Sequence, residues 1–268
     1  KPEHLTIKAP DGRVIWDLES YKAFIAQDAP APDSVNPSLW RRAQLNLNYG
    51  LFEVTDGIYQ VRGYDLANVT YVRGDTGWIV FDTGSTAETA KATYDLVTEQ
   101  FGHRPVVAVV ISHPHLDHYG GVKGLISEED VRSGKVRLIA PEGFMEHAVS
   151  ENVTTGNAMS RRSTFMYGVL LPRDPEGSVG AGLGMTNPRG TSTLIEPSEY
   201  ISKTGTKLTV DGVEMEFQLT PGTEAPAEMN FYLPQFRAVF MAENANLTMH
   251  NLLPARGSLV RDASASDW

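Results

Sequence analysis

The feature that most constrains this chain is a cluster of imidazole and carboxylate side chains directly after a β-branched segment. Val106–Ser112 is a near-continuous apolar run that predicts a strand buried on both faces. Within the next six residues stand His113, His115, Asp117 and His118. Imidazole nitrogen and carboxylate oxygen are ligands that zinc accepts. Three of the seven histidines of the chain lie within these six residues, which chance clustering in a solvated loop explains poorly. The pattern therefore predicts a metal site at a strand end.

The composition limits how such a site can be built. The 268 residues include no cysteine, which excludes thiolate zinc sites, iron–sulfur clusters, disulfide scaffolds and cysteine nucleophiles. With 33 acidic and 23 basic side chains the net charge is −10, so we expect no affinity for nucleic acid or anionic membranes. No apolar run approaches the roughly 18 residues that a membrane span needs. Metal ligands must therefore be His, Asp or Glu.

Strand and helix patterns alternate in the middle of the chain. Val69–Arg73 and Trp78–Phe81 are β-type runs on either side of a hairpin turn. Thr86–Phe101 carries apolar residues at helical spacing, and Gly102 suits a C-terminal cap. Because strand, helix and buried strand follow in that order, the sequence predicts a layered α/β fold.

The two ends of the chain have a different character. Residues 1–50 predict an N-terminal segment that wraps over the body, with a short helix over Trp16–Ala26 and an extended, proline-rich stretch over Ala29–Pro37. Residues 51–268 predict the main domain. Within it, Asn157–Leu171 predicts a helix, and Pro172–Pro197 predicts a long loop of the kind that is more often functional than idle.

Two glutamates later in the chain are candidate ligands. Lys207–Val210 and Val213–Leu219 predict a hairpin. Glu224 follows this hairpin, and Glu243 follows the last β-run. Both stand at predicted strand ends, on the rim expected for His113. On the residues alone, a solvated loop carboxylate remains the alternative for each.

Several stretches beyond the histidine motif give the chain a closer likeness. The motif has the form HxHxDH, the signature of the metallo-β-lactamase superfamily. The chain resembles the alkylsulfatases of that superfamily, which hydrolyse dodecyl sulfate and related esters, from about Pro10 to its C-terminus. The stretches that carry the resemblance are Asn36–Arg41, Gly57–Gly63, Gly74–Val80, Gly156–Arg162 and Gly180–Gly184.

The resemblance implies an α/β fold of the αββα sandwich type and a site with two zinc ions. Glu224 would complete the site of His113 and His115. Asp117 and His118 would hold the second ion, and Glu243 would bridge both. The family's second ion takes a further histidine, which this chain lacks; nor does it carry the family's dimerisation region or sterol-carrier-like domain. The resemblance thus implies a catalytic domain incomplete at its C-terminus, a homodimer for the full-length protein, and a periplasmic or secreted location.

The implied reaction is hydrolysis of an alkyl sulfate ester to alcohol and sulfate by metal-bound water or hydroxide, the pKa of the water being lowered toward ~7. Arg256 matches the family's sulfate-binding arginine, and an arginine fork suits sulfate oxygens. His250 would orient the sulfate or protonate the leaving oxygen, with a structural histidine as the alternative. An apolar stripe within 165–171 would line a trough for the alkyl chain, or else be plain core. Within this stripe the candidates are Phe165, Met166, Tyr167, Val169, Leu170 and Leu171.

Two other functions stay open at this point. A hydrolase of the same fold with another substrate, such as a lactone, thioester or β-lactam, would use a similar metal site. A catalytically inert metal-binding domain would carry the same motif without turnover. The glutamate pair and the matching stretches favour the alkylsulfatase.

Overall fold

The protein is described by a computed structural model that covers residues 2–245. His250, Arg256 and the rest of 246–268 lie outside the described residues. Within the described part, every helix is too short or too polar to cross a membrane. The strands are β1 Thr6–Lys8, β2 Val14–Asp17, β3 Gly50–Thr55, β4 Ile58–Arg62, β5 Val69–Arg73, β6 Trp78–Phe81, β7 Val106–Val110, β8 Arg137–Pro141, β9 Glu199–Ile201, β10 Lys207–Val210, β11 Val213–Leu219, β12 Met229–Leu233 and β13 Ala238–Phe240.

The helices lie mainly between β6 and β9. They are α1 Glu19–Lys22, α2 Pro37–Asn46, α3 Ala87–Phe101, α4 Leu116–Tyr119, α5 Glu128–Arg132, α6 Phe144–Val149 and α7 Gly156–Tyr167. The predicted caps of α3 are confirmed: the Thr86 hydroxyl accepts from the Thr89 N–H, and Gly102 follows with a φ of 80°. A π-helical turn, Ser150–Thr154, joins α6 to α7.

Two sheets face each other across an apolar layer. Seven strands form the larger sheet in the order β3 to β9, antiparallel as far as β6 and parallel from β6 to β9. Strands β10 to β13 form an antiparallel second sheet. Phe81 from the first sheet meets Phe231 from the second with ring centroids 4.7 Å apart, edge to face. Buried helix side chains such as Val97 and Phe144 pack with the other face of the larger sheet. The predicted layered α/β sandwich is confirmed.

The N-terminal segment contributes to this core. Trp16, Tyr21, Trp40 and Tyr49 are buried in the same cluster as the larger sheet. The predicted helix over Trp16–Ala26 is wrong at its start, because Trp16 belongs to β2, which pairs with β1. Its helical part is confined to α1. Helix α2 was missed, although Asn36 accepts from the Ser38 N–H and Pro37 occupies the first turn, which is a recognisable start signal.

The predicted loop is present and is fastened to the body. No helix or strand of the described chain lies between α7, which ends earlier than predicted at Tyr167, and β9. Backbone N–H groups of this loop donate to other elements: Arg189 to the Ile15 carbonyl at 3.1 Å, and Thr193 to the Gly120 carbonyl at 2.7 Å. Met185 is buried. The loop is therefore part of the packed structure around the rim.

A contact between two hairpin turns holds the sheets in register. The turn Asp211-Gly212 between β10 and β11 has φ values of 46° and 81°, as its Asp-Gly sequence predicts. The Asp211 carboxylate accepts from the N–H groups of Thr76 and Gly77 at 2.9 and 2.8 Å. The Asp75 N–H donates to the Asp211 carbonyl at 2.9 Å. One polar residue thus joins the turn of the first sheet to the turn of the second.

We expect Asp211→Ala to lower the free energy of unfolding by about 2 kcal/mol, because several donors lose a charged acceptor. Urea denaturation measures this. The matched control is Asp75→Ala, which removes an exposed carboxylate from the facing turn and should change stability by less than about 0.5 kcal/mol. Equal stability of the two variants would contradict the role of Asp211.

Candidate metal centre

The histidine motif begins where two parallel strands end side by side. Strand β7 ends at Val110, next to β6, and Asp82 directly follows β6. The Asp82 carboxylate accepts from the Ser112 N–H and hydroxyl, both at 2.8 Å. Asp82 itself has a φ of 55°, an uncommon backbone conformation that aims its side chain at the motif. The chain then turns into α4, which carries Asp117 and His118.

A first group of four donors gathers at this rim. His113, His115, Glu224 and Glu243 bring one ligand atom each to within 4.8 Å of one another. His113 Nε2 lies 3.1 Å from His115 Nδ1 and 3.5 Å from Glu243 Oε2. His115 Nδ1 lies 3.0 Å from Glu224 Oε1. The two glutamates therefore come to the rim expected from their positions after β11 and β13.

A second group stands beside the first and shares one residue with it. Asp117, His118 and Glu243 bring their ligand atoms within 4.8 Å. His118 Nε2 lies 3.4 Å from both Asp117 Oδ2 and Glu243 Oε2. This nitrogen is buried and makes no hydrogen bond within residues 2–245. Glu243 reaches both groups with one carboxylate, so the structure brings all six sequence candidates together.

Further polar residues, which sequence reasoning missed, lie at the outward nitrogens of the histidines, where Asp82 and Ser112 are within hydrogen-bond distance and Glu228 and Glu151 are farther away. His118 Nδ1 lies 2.7 Å from Asp82 Oδ2, and His113 Nδ1 lies 2.9 Å from the Ser112 hydroxyl and 4.0 Å from Glu228. His115 Nε2 is 3.8 Å from Glu151. The position of Asp82 after a parallel strand was a usable signal. Glu151, on the π-helical turn, and Glu228, next to β12, had no sequence signal that could have identified them.

Burial and charge shift the titration of the cluster in opposite directions. Burial lowers the pKa of His113. Burial also opposes charge on His115, but the hydrogen bond and charge of Glu224 outweigh it and raise the pKa of His115 to about 9. Against the same burial, Asp117 and Asp82 raise the pKa of His118. Burial raises the pKa of Glu228 to about 8. In the absence of a metal, protons on imidazole compensate the carboxylates.

A partly apolar cavity opens beside the cluster. It has a volume of about 470 Å³, and His115, Asp117 and Glu243 form part of its wall. Its apolar wall comes from several elements. It includes Leu66, Leu116, Met159, Met166, Tyr167, Leu183 and Leu194. Of the predicted apolar stripe, Met166 and Tyr167 line this cavity, whereas Phe165 is 89% exposed and Leu170 is 77% exposed. The predicted apolar stripe is therefore not part of the core, and only part of it lines the cavity.

In the metal-free protein, we expect the imidazole of His115 to titrate at about 9. Replacing Glu224 by Gln removes the charge that favours the imidazolium, so the pKa of His115 should fall. Histidine NMR titration measures both values. Glu146→Gln, an exposed substitution on α6, should leave the pKa of His115 unchanged. A pKa that stays near 9 in Glu224→Gln would contradict this account.

Comparison with known proteins places this geometry in a family. Residues 62–217 match the metallo-beta-lactamase superfamily. The chain is 52% identical over 259 residues to a linear primary-alkylsulfatase of Pseudomonas sp., covering 97% of this chain and 38% of that protein. It is 48% identical over 258 residues to an alkyl/aryl-sulfatase of Saccharomyces cerevisiae, covering 96% of this chain and 40% of that protein.

A solved structure gives the same relation. The stereoselective inverting sec-alkylsulfatase Pisa1 from Pseudomonas sp. superposes with a TM-score of 0.94 at 52% identity, over 99% of this chain and 42% of that one. The chain thus spans less than half the length of the relatives that it matches. The resemblance to alkylsulfatases that the sequence predicted is confirmed. Since the superfamily match covers more than half of its residues, this chain belongs to the metallo-beta-lactamase superfamily.

Proposed function

We propose that the histidine–carboxylate cluster binds two zinc ions and hydrolyses alkyl sulfate esters to alcohol and sulfate. The observation that carries the proposal is Glu243, whose carboxylate is shared by two donor groups and lines the partly apolar cavity. Relatives named as alkylsulfatases match nearly the whole chain. A substrate with an anionic head and an apolar tail suits a cavity with a polar and an apolar wall.

The residues present fit zinc. The donors are imidazole nitrogens and carboxylate oxygens, which zinc binds in proteins. The buried His118 Nε2 makes no hydrogen bond in the described chain and lies 3.4 Å from both the Asp117 and the Glu243 carboxylates, so a cation between these three groups would neutralise them. His113, His115 and Glu224 would hold the first ion, Asp117 and His118 the second, and Glu243 both. A further ligand from 246–268 is outside the described residues.

When bound, the ions would neutralise the charge of the ester and lower the pKa of water toward neutrality. The chain's own side chains do the positioning. Asp82 fixes His118 in the orientation that keeps Nε2 toward the cluster, since its carboxylate accepts from Nδ1. The apolar side chains of the cavity exclude water from the alkyl chain. The proposed roles of Arg256 on the sulfate and of His250 on the leaving oxygen concern residues outside 2–245.

Two assays separate this function from the alternatives. Sulfate release from an alkyl sulfate, measured beside nitrocefin hydrolysis, distinguishes a sulfatase from a hydrolase of β-lactams, and activity on nitrocefin alone would overturn the proposal. Metal analysis distinguishes a working site from an inert domain. We expect about two zinc ions per chain; one or none would favour the inert domain. A homodimer and a periplasmic or secreted location stay predictions from the family resemblance.

Replacing Glu243 by Ala should remove at least one zinc ion and lower sulfate release by at least about a hundredfold, since loss of a residue behind the ligands already costs about 10- to 100-fold. Elemental analysis and the sulfate assay measure the two effects. Glu53→Ala, at an exposed position of β3, is the control and should keep both. Full zinc content in Glu243→Ala would refute the bridging role.

Replacing Asp82 by Asn should weaken zinc binding by about 10- to 100-fold. The amide nitrogen that replaces one oxygen cannot accept: in one orientation the Nδ1–H of His118 and the Ser112 hydroxyl both lose Oδ2, and in the other the Ser112 N–H loses Oδ1. Competition with a chromophoric chelator measures the affinity. The same change at Asp95, which pairs with Lys91 on the surface of α3, should have no effect. An unaltered affinity in Asp82→Asn would remove Asp82 from the site.

A further inference from the structure

A second and larger cavity lies against the same cluster. Its volume is about 770 Å³, and Asp82, His118 and Glu243 form part of its wall. Two arginines and several amides contribute to the remainder of the wall. These residues are Arg42, Arg62, Asn46, Asn48, Asn68 and Gln60. The proposed reaction assigns no role to them.

Arg42, on α2, lines this cavity and has no acidic partner among residues 2–245. Its Nε donates to the Gly182 carbonyl at 3.0 Å. Within residues 2–245 no carboxylate lies within 4.0 Å of it. It is half-buried, and burial lowers the pKa of its guanidinium. Half-buried Arg137 differs, because Glu199 neutralises it.

Arg62, on β4, is in the same situation. Its Nε donates to Gln60 Oε1 at 2.7 Å, and its guanidinium carbon lies 4.6 Å from the centroid of the Phe52 ring. It too is half-buried, its pKa is lowered by burial, and it lacks an acidic partner in the described chain. Both arginines are held in place through Nε by neutral acceptors. Such anchoring leaves the terminal nitrogens as donors for a ligand.

One further donor in the wall of this cavity has no partner in the described part of the chain. The Asn46 amide nitrogen is buried and has no acceptor within residues 2–245. Asp65, which lines the cavity, accepts from the backbone N–H groups of Leu66 and Ser85 and from the hydroxyls of Ser85 and Thr89. Asp82 is occupied by Ser112 and His118. Unpaired cations and an unpaired amide in a partly desolvated wall are costly unless an anion compensates them.

We infer that this cavity binds a tetrahedral oxyanion between Arg42, Arg62 and the Asn46 amide. The ligand class is sulfate, either free or as the head of a sulfate monoester. Arginine forks match the geometry of such oxygens, and an amide donor adds a third direction. In a chain of net charge −10, the local arrangement of donors must capture the anion, because the overall field repels it. The inference stands without the proposed hydrolysis.

The test uses the zinc-free protein, so that the metal centre does not bind the anion. Calorimetric titration with sodium sulfate, at constant ionic strength in chloride, gives the affinity. Arg42→Gln and Arg62→Gln should each weaken sulfate binding at least tenfold, and the double variant should abolish it. Arg41→Gln is the matched control, an exposed neighbour on α2, and should bind as the parent does. Parent-like binding in the double variant would overturn the inference.

A second measurement needs no substitution and covers variants that fail to fold. In the ¹⁵N-labelled protein, sulfate should shift the Nε–H resonances of Arg42 and Arg62 and leave that of Arg137 in place. Titration with a short-chain alkyl sulfate in the same zinc-free sample distinguishes the sources: shifts with both ligands indicate recognition of the head group, and shifts with sulfate alone indicate a site for the free anion. Acetate binding as tightly as sulfate, or no shift at either arginine, would overturn the inference. Sulfate release by the zinc-loaded protein is measured separately, so failure here leaves the proposed hydrolysis standing.

Discussion

The balance of charge around three histidines is the constraint on which the rest of the structure depends. In the described chain, six carboxyl groups lie within 4.0 Å of a ring nitrogen of His113, His115 or His118, and several of these groups are buried. Such a concentration of negative charge is unstable unless cations or protons compensate it. When no metal is bound, the neighbouring carboxylates raise the pKa values of His115 and His118 despite burial, so these two imidazoles carry the compensating protons.

The fold brings these groups together from distant parts of the chain. Parallel pairing of β6 and β7 sets Asp82 beside Ser112, and the facing sheet delivers Glu224 and Glu243 from the ends of β11 and β13. The relative position of the two sheets therefore decides whether the donor groups form. Apolar contacts have no preferred direction, so the layer between the sheets does not by itself fix how far one sheet is shifted along the other. The hydrogen bonds of Asp211 with the opposite turn supply a directional contact that does.

How much of this was predictable depends on how local each signal is. The Asp211-Gly212 turn and the capped helix α3 follow from short-range rules, and both are present. Glu224 and Glu243 could be chosen from strand ends, but only the family resemblance raised them above ordinary loop carboxylates. Glu228 and Arg62 carry no local signal, because their significance comes from neighbours far away in sequence. The alternative that placed Phe165 in the core is wrong for a related reason: an apolar stripe in the sequence does not show which other element packs against it.

The two cavities place apolar side chains and a pair of arginines on different sides of the site, an arrangement that no single sequence motif contains. Leu66, Leu183 and Glu243 line both of them, so these residues lie between the cavity that Met159 and Met166 line and the cavity that Arg42 and Arg62 line. The long loop supplies Leu183 and also the Gly182 carbonyl that anchors Arg42. Gly184 allows this close approach, since a Cβ there would lie 2.8 Å from the Leu66 side chain. An amphiphilic anion needs apolar contact and charge neutralisation in different places, and a packed loop between the cavities is a physical means of keeping them apart.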